Sequence, residues 1–201
     1  MISVYDLKPA FQRLLRPLVE RLGRGGVTAN QITTGAALLS IAHGAWIALA
    51  PSKDIALCLL PATLFLRMAL NAIDGMLARE HGQKTRLGAL LNELGDAFSD
   101  LALYLPFALV SGVSATAVVI AVVVALVAEL AGVCALSVGS GRRYDGPMGK
   151  SDRALTFGLL GLLLGLGWTP GWLSDAILWG VAVLGLVTVW NRARKALEVE
   201  P

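Results

Sequence analysis

Asp74 and Asp96 stand in segments whose neighbours are apolar enough to enter a bilayer, and Asn71, Asn92, Glu93 and Asp100 each lie within about one helical turn of one of them. Charge at that depth is costly unless it is paired, wetted or bound to metal, so these residues mark a functional site. On helices, Asn71 and Asp74 share a face, and so do Asn92 and Asp96. Two such faces turned toward each other would bring together two carboxylates and two amide oxygens. Hard oxygen donors of this kind suit Mg2+ or Mn2+, which leave room for water and substrate phosphate. Ala72, Gly75, Ala78 and Gly88 lack bulk, which permits close approach of two helices or of a flat group against the backbone.

The elements that must position this set are membrane helices. The chain has 201 residues, of which 56% are hydrophobic and 15% charged, and its mean hydropathy is +0.68. An ordinary soluble domain carries roughly a quarter charged residues. The composition predicts one all-α integral membrane domain over residues 1–201. Apolar stretches near 32–50, 55–73, 88–111, 114–138, 154–169 and 172–191 predict six transmembrane helices within 32–191, since a crossing takes about 20 residues. The fifth is short, and Glu93, Asp96 and Asp100 interrupt the third.

Basic residues gather on the cytoplasmic side of short loops. Six crossings put nearly all of the 17 Lys and Arg on one face, apart from Lys53 on the other face and Arg67 inside the membrane. Both termini are therefore expected in the cytoplasm. The loops around Pro51, Ser111 to Ser114 and Thr169 to Gly171 are nearly uncharged and fall on the other side. A net charge of +3 with this one-sided distribution suits a surface facing anionic lipid headgroups. Nucleic acid is not an expected partner, because the basic residues are spread over several membrane-proximal loops with no binding module.

Residues 1–24 precede the first span. There Val4, Leu7, Phe11, Leu14, Leu18 and Leu22 recur at helical steps with Lys8, Arg13, Arg16 and Arg21 between them, which predicts an amphipathic helix lying in the membrane interface. The segment lacks the continuous apolar core of a secretory signal. Gly23 to Gly26 break the helix, and Thr28, Ala29 and Asn30 offer caps for the next one. Cys58 and Cys134 fall inside predicted spans and read as small apolar fillers. Gly161 and Gly165 form a G-x-x-x-G that permits close helix contact, within a protomer or between two.

The segment from Asn71 to Asp96 resembles the signature of the CDP-alcohol phosphotransferases. That signature reads D-x2-D-G-x2-A-R, then about eight residues, then G-x3-D-x3-D. Asp74, Gly75, Ala78, Arg79, Gly88 and Asp96 all fall in register, while the first and third acidic positions are Asn71 and Asn92. The resemblance implies transfer of a phosphatidyl-type group from a CDP-linked lipid, CDP-diacylglycerol, to an alcohol acceptor with release of CMP. It implies Asp74 as a metal ligand, Asp96 as ligand or general base, and Gly75, Ala78, Arg79 and Gly88 around the nucleotide. Lys150 and Arg153, in a GPMGKSDR segment similar to a loop of some members, and Arg86 become candidates for phosphate on the acceptor. A homodimer in the bacterial inner membrane is also implied by the family.

The two asparagines remove two negative charges from a four-carboxylate site, and three explanations compete. Glu93 or Asp100 supplies charge, one metal is held tightly, or turnover has been lost; compensation is the favoured reading. Arg67 and Asp100, each one turn deeper than a motif position, are placed to meet as an intramembrane pair, with Glu129 as a second partner. Two other functions stay open at this point. One is a degenerate member that binds CDP-lipid or anionic lipid without turnover; the other is a small transporter with Arg67, Asp100 and Glu129 as a relay.

Overall fold

A computed structural model describes residues 4–50 and 52–198. Residues 1–3 of the N-terminal segment, Pro51, and the side chains of Val4, Leu7 and Lys8 lie outside the described residues. In chain order the helices are α1 (Val4–Arg24), α2 (Ala29–Leu49), α3 (Asp54–Glu80), α4 (Arg86–Tyr104), α5 (Ala115–Cys134), α6 (Lys150–Gly165) and α7 (Gly171–Leu197). Short 3-10 segments follow α4 at Leu105–Leu109 and α5 at Ala135–Val138. Among the described residues there is no strand, so the all-α expectation holds.

Among the described residues, four helices are long and apolar enough to cross a membrane: Ala29–Leu49, Asp54–Glu80, Ala115–Val138 and Gly171–Leu197. The other two expected spans, 88–111 and 154–169, are not among these four. α6 has 16 residues, or about 24 Å of helix, against a hydrocarbon thickness of about 30 Å. The stretch 88–111 divides, because Pro106 has no N–H to continue the α-helical ladder, and the chain tightens into 3-10 geometry after Tyr104.

Local sequence sets the helix ends. Gly26 takes a φ of +77°, open to glycine at little cost. A reciprocal capping box then starts α2: Gln31 N–H donates to Thr28 Oγ1 at 3.2 Å, and Thr28 N–H donates to Gln31 Oε1 at 2.9 Å. Thr85 caps α4 by accepting from Gly88 N–H at 2.9 Å, and Ser114 caps α5 by accepting from Ala117 N–H at 3.3 Å.

The helices form two compact units, Met1–Ala42 with Ala62–Ser99 and His43–Pro61 with Asp100–Pro201. In the first, Val19 of α1, Ala29 of α2, and Ile73, Met76 and Leu77 of α3 make a buried cluster that Leu15, Leu22, Ile32 and Ala78 extend. Phe11 packs edge-on to Phe65 with ring centroids 5.9 Å apart, and Arg16 pairs with Glu80 at 3.1 Å. The face of α1 turned to the protein is thus Phe11, Leu15, Val19 and Leu22. Leu14 and Leu18, part of the expected apolar stripe, are instead exposed beside Arg13 and Arg21.

In the second unit α5 packs along α7. Tyr104 stacks on Phe157 at 4.1 Å, and Phe107 meets the same ring edge-on. The G-x-x-x-G of α6 is used inside the protomer. A Cβ on Gly165 would lie 2.6 Å from the Asp54 carbonyl and 2.7 Å from Cys58 Sγ, and one on Gly161 would lie 2.9 Å from Leu60. Lipid is as apolar as leucine, so close packing of this kind, and not escape from water, is what holds such helices together.

Candidate active site

Both motif carboxylates are held by side chains of the first unit. Asp74, buried on α3, accepts a hydrogen bond at its Oδ2 from Thr33 Oγ1 of α2 at 2.8 Å. The same hydroxyl contacts the Ala29 carbonyl one turn back at 3.0 Å, which fixes its rotamer. Asp96, half-buried on α4, accepts at its Oδ1 from Asn71 Nδ2 of α3 at 3.1 Å and from Arg67 Nη2 at 3.3 Å. Arg67 also donates to the Asp96 backbone carbonyl at 3.1 Å. Of the four side chains expected to converge, Asn71 of α3 and Asp96 of α4 meet directly, while Asp74, one turn from Asn71, is held by Thr33 of α2.

The loop between α3 and α4 is tied to the start of α2. Gln83 accepts from Ala29 N–H at 2.7 Å and donates to the Val27 carbonyl at 3.3 Å, so one amide satisfies two polar groups at the helix entry. Gly88 has a structural reason as well, since a Cβ there would lie 2.6 Å from Asn30 Oδ1. Over Gly75 the Arg79 guanidinium folds back so closely that a Cβ would be 3.1 Å from its Nη1. That leaves an exposed cation above a bare stretch of backbone. Asn92 and Glu93 are half-buried on α4. Among the described residues no three His, Cys, Asp or Glu side chains gather into a metal-binding group.

The second unit carries a separate ionic network. Arg153 of α6 is buried and donates to Asp100 Oδ2 at 2.9 Å and to Glu129 Oε1 at 3.0 Å. Its Nη1 donates to the Met148 carbonyl at 3.2 Å. Glu129 also pairs with Arg142 at 3.2 Å and Arg192 at 3.4 Å. In the neighbouring loop, Lys195 lies 2.7 Å from Asp145 Oδ1 and Arg143 lies 2.9 Å from its Oδ2. The Lys195 hydrogen bond, helped by the charge of Arg143, holds the Asp145 carboxyl below its ordinary value. Lys150 is half-buried and Arg86 exposed.

Several of these side chains escape a reading of the sequence. Thr33 and Gln83 look like ordinary polar residues near a helix start, and nothing local announces the partners that they find across a long stretch of chain. Arg67 had a signal, a cation inside an apolar span, and was expected to meet Asp100; an ion pair at 3.3 Å joins it to Asp96, one turn nearer the motif.

A family model for the CDP-alcohol phosphatidyltransferases matches residues 26–190. The chain belongs to the CDP-alcohol phosphatidyltransferase family. It is thus a transferase of phosphorus-containing groups that acts in phospholipid biosynthesis. Inner membrane protein YnbA of Escherichia coli (strain K12) is 47% identical over 198 residues, covering 98% of this chain and 97% of that protein. A phosphatidylinositol phosphate synthase of Corynebacterium glutamicum is 32% identical, covering 96% and 87% of the two chains. The fold is that of the Mycobacterium tuberculosis phosphatidylinositol phosphate synthase PgsA1. Its crystal structure with CDP-DAG bound superposes with a TM-score of 0.76 at 22% identity, covering 92% of this chain and 94% of that one. A second structure of that enzyme, with manganese and citrate, gives 0.74 at 22% identity over 90% and 88%. With its four long apolar helices, this member of the family is an integral membrane protein.

Proposed function

We propose that this enzyme transfers the phosphatidyl group of CDP-diacylglycerol to an alcohol and releases CMP, on the cytoplasmic side of a bacterial inner membrane. The observation that carries the reading is the convergence of Asp96 on Asn71, one turn from Asp74. This places the two carboxylates of the family signature on neighbouring helices whose loop is fixed by Gln83. The bound CDP-DAG of the mycobacterial fold neighbour supports the donor.

The donor set fits a divalent cation of the hard class. Asp74 and Asp96 supply carboxylate oxygens, Asn71 and Asn92 supply amide oxygens, and Glu93 lies on the same helix face as Asp96. An ionised carboxylate accepts at about four lone-pair sites, so ligation of a cation and the hydrogen bonds from Asn71 and Arg67 are compatible at Asp96. Mg2+, or the Mn2+ carried by the fold neighbour, supplies charge stabilisation on the diphosphate oxygens when bound. The chain's own residues do the rest. Thr33 fixes the Asp74 carboxylate, and Arg67 with Asn71 fixes that of Asp96. Arg79, above Gly75, offers its guanidinium to the diphosphate, while the bare backbone at Gly75, Ala78 and Gly88 admits the nucleotide. Asp96 takes the proton of the acceptor hydroxyl as the alkoxide forms.

Lys150, Arg86 and Arg153 are the proposed cations for phosphate on the acceptor, and Arg153 would act there through a guanidinium already oriented by Asp100 and Glu129. In this reading the chain is one domain with six crossings and both termini in the cytoplasm, and it works as a homodimer. α1 lies in the interface, with exposed Leu14 and Leu18 in the acyl boundary and arginines at the headgroups.

The purified protein, given CDP-diacylglycerol, Mg2+ or Mn2+ and a panel of polar alcohols, is expected to release CMP with at least one of them. Retained binding of the CDP-lipid with no CMP from any acceptor would contradict catalysis.

A further inference from the structure

Four residues separate the end of α1 at Arg24 from the start of α2 at Ala29, and α2 is one of the helices long and apolar enough to cross a membrane. α1 is therefore held at the membrane boundary. Its 21 residues carry five basic side chains against two acidic ones. We propose that α1 is a binding surface for anionic lipid headgroups, and that their contact steadies the signature helix α3 on which α1 packs. The inference rests on the interfacial placement of α1 proposed above and names the lipid that it requires.

A helical rotation of about 100° per residue sorts α1 into adjoining strips. Phe11, Leu15, Val19 and Leu22 form the strip turned to the protein. Beside it lie Leu14 and Leu18, 76% and 46% exposed. Beyond these come Arg13, Arg21 and Arg24, all exposed, with exposed Glu20 offsetting one of them. Arg24 donates to the Glu20 backbone carbonyl at 3.3 Å. Among the described residues, the ion pair made by α1 is that of Arg16 with Glu80 at 3.1 Å, on the opposite side beyond Val19. The three other arginines are thus left to face headgroups while the leucines enter the acyl boundary. A zwitterionic surface satisfies the leucines alone; an anionic one adds about fivefold in binding for each cation near it.

The protein-facing strip reaches the signature. Val19 shares its buried cluster with Ile73, Met76 and Leu77, which flank Asp74, Gly75 and Ala78 along α3. Phe11 holds Phe65 about two turns earlier. His81, just past α3, lies so close over Gly23 that a Cβ there would be 2.6 Å from its ring. α1 is thus clamped on α3 from Phe65 to its C-terminal end. A lipid that binds the seated position of α1 favours the arrangement of α3 that goes with it.

The full chain in nanodiscs of phosphatidylcholine, alone or with phosphatidylglycerol added, tests this by hydrogen exchange, which reads local stability without turnover. Amides of α1 and of residues 76–83 are expected to exchange about tenfold or more slowly in the anionic discs, the scale set by two or three cations at about fivefold each. Salt at about 1 M is expected to remove the difference, since the screening length then falls to about 3 Å. Arg13→Gln, Arg21→Gln and Arg24→Gln together are expected to remove it as well, while Arg13→Lys, Arg21→Lys and Arg24→Lys together are expected to keep it. Equal exchange of α1 in the two discs, the result that contact with a second copy of the chain predicts, would overturn the proposal. So would a difference that survives in the glutamine variant. Slower exchange in α1 with no change over 76–83 would overturn the coupling to α3. CMP release in the same discs is expected to rise with the anionic lipid and to fall in the glutamine variant. No CMP in any disc would remove the proposed transfer, and the exchange result would still decide the lipid contact.

Discussion

Replacing Asp96 by asparagine is expected to lower the rate of CMP release by about 10²- to 10⁴-fold, the range lost when a positioned general base is removed. Asparagine keeps an oxygen to accept from Asn71 and Arg67, so the α3–α4 junction survives while charge and basicity go. Alanine at the same place is expected to abolish release and also to weaken the fold. It would leave the Arg67 guanidinium, 3% exposed, without its Asp96 carboxylate. Turnover at fixed donor and acceptor, with thermal unfolding measured on the same preparations, separates the two effects. An Asp96→Asn protein that turns over at the wild-type rate would remove Asp96 from the chemistry.

The second large effect is structural. Arg153→Met is expected to destabilise the protein by about 3–5 kcal/mol, because it removes a buried cation that both Asp100 and Glu129 use. Arg153 is 1% exposed and Asp100 5% exposed, and Glu129 shares the same guanidinium. Adding Asp100→Asn to Arg153→Met is expected to restore part of the loss, since a buried carboxylate that has lost the Arg153 guanidinium is then neutralised. The sum of the two single changes would overestimate the cost of the double, as it does for residues in contact. Denaturant unfolding in a fixed detergent checks this. Equal stability of Arg153→Met and the wild type would show that the network does not hold the fold.

The motif residues were legible because their spacing is local. Asn71 and Asp74 fall on one helical face, as do Asn92 and Asp96, by counting alone. What holds the carboxylates was not legible. Thr33 and Asp74 are 41 residues apart in sequence, and Arg153 and Asp100 are 53 apart, so no periodicity links them. α1 shows a different limit. Its apolar residues are numerous enough to make two stripes, and helical spacing alone could not tell that Leu15 and Val19 face the protein while Leu14 and Leu18 face outward. The G-x-x-x-G left two partners open, and only the packing of Gly161 and Gly165 against α3 decides for the protomer itself. Hydropathy likewise overran the end of α4, where Pro106 sets the limit and not polarity.

The central claim is that the carboxylates of Asp74 and Asp96 hold a divalent cation over the donor's diphosphate. A crystal of the protein soaked in Mn2+ and the donor, with anomalous scattering collected at the manganese edge, addresses it directly. The account predicts a peak within about 2.3 Å of carboxylate oxygens of both residues, in the range of hard-cation coordination. A peak elsewhere, or a donor diphosphate bound with no ion between it and these two side chains, would contradict it.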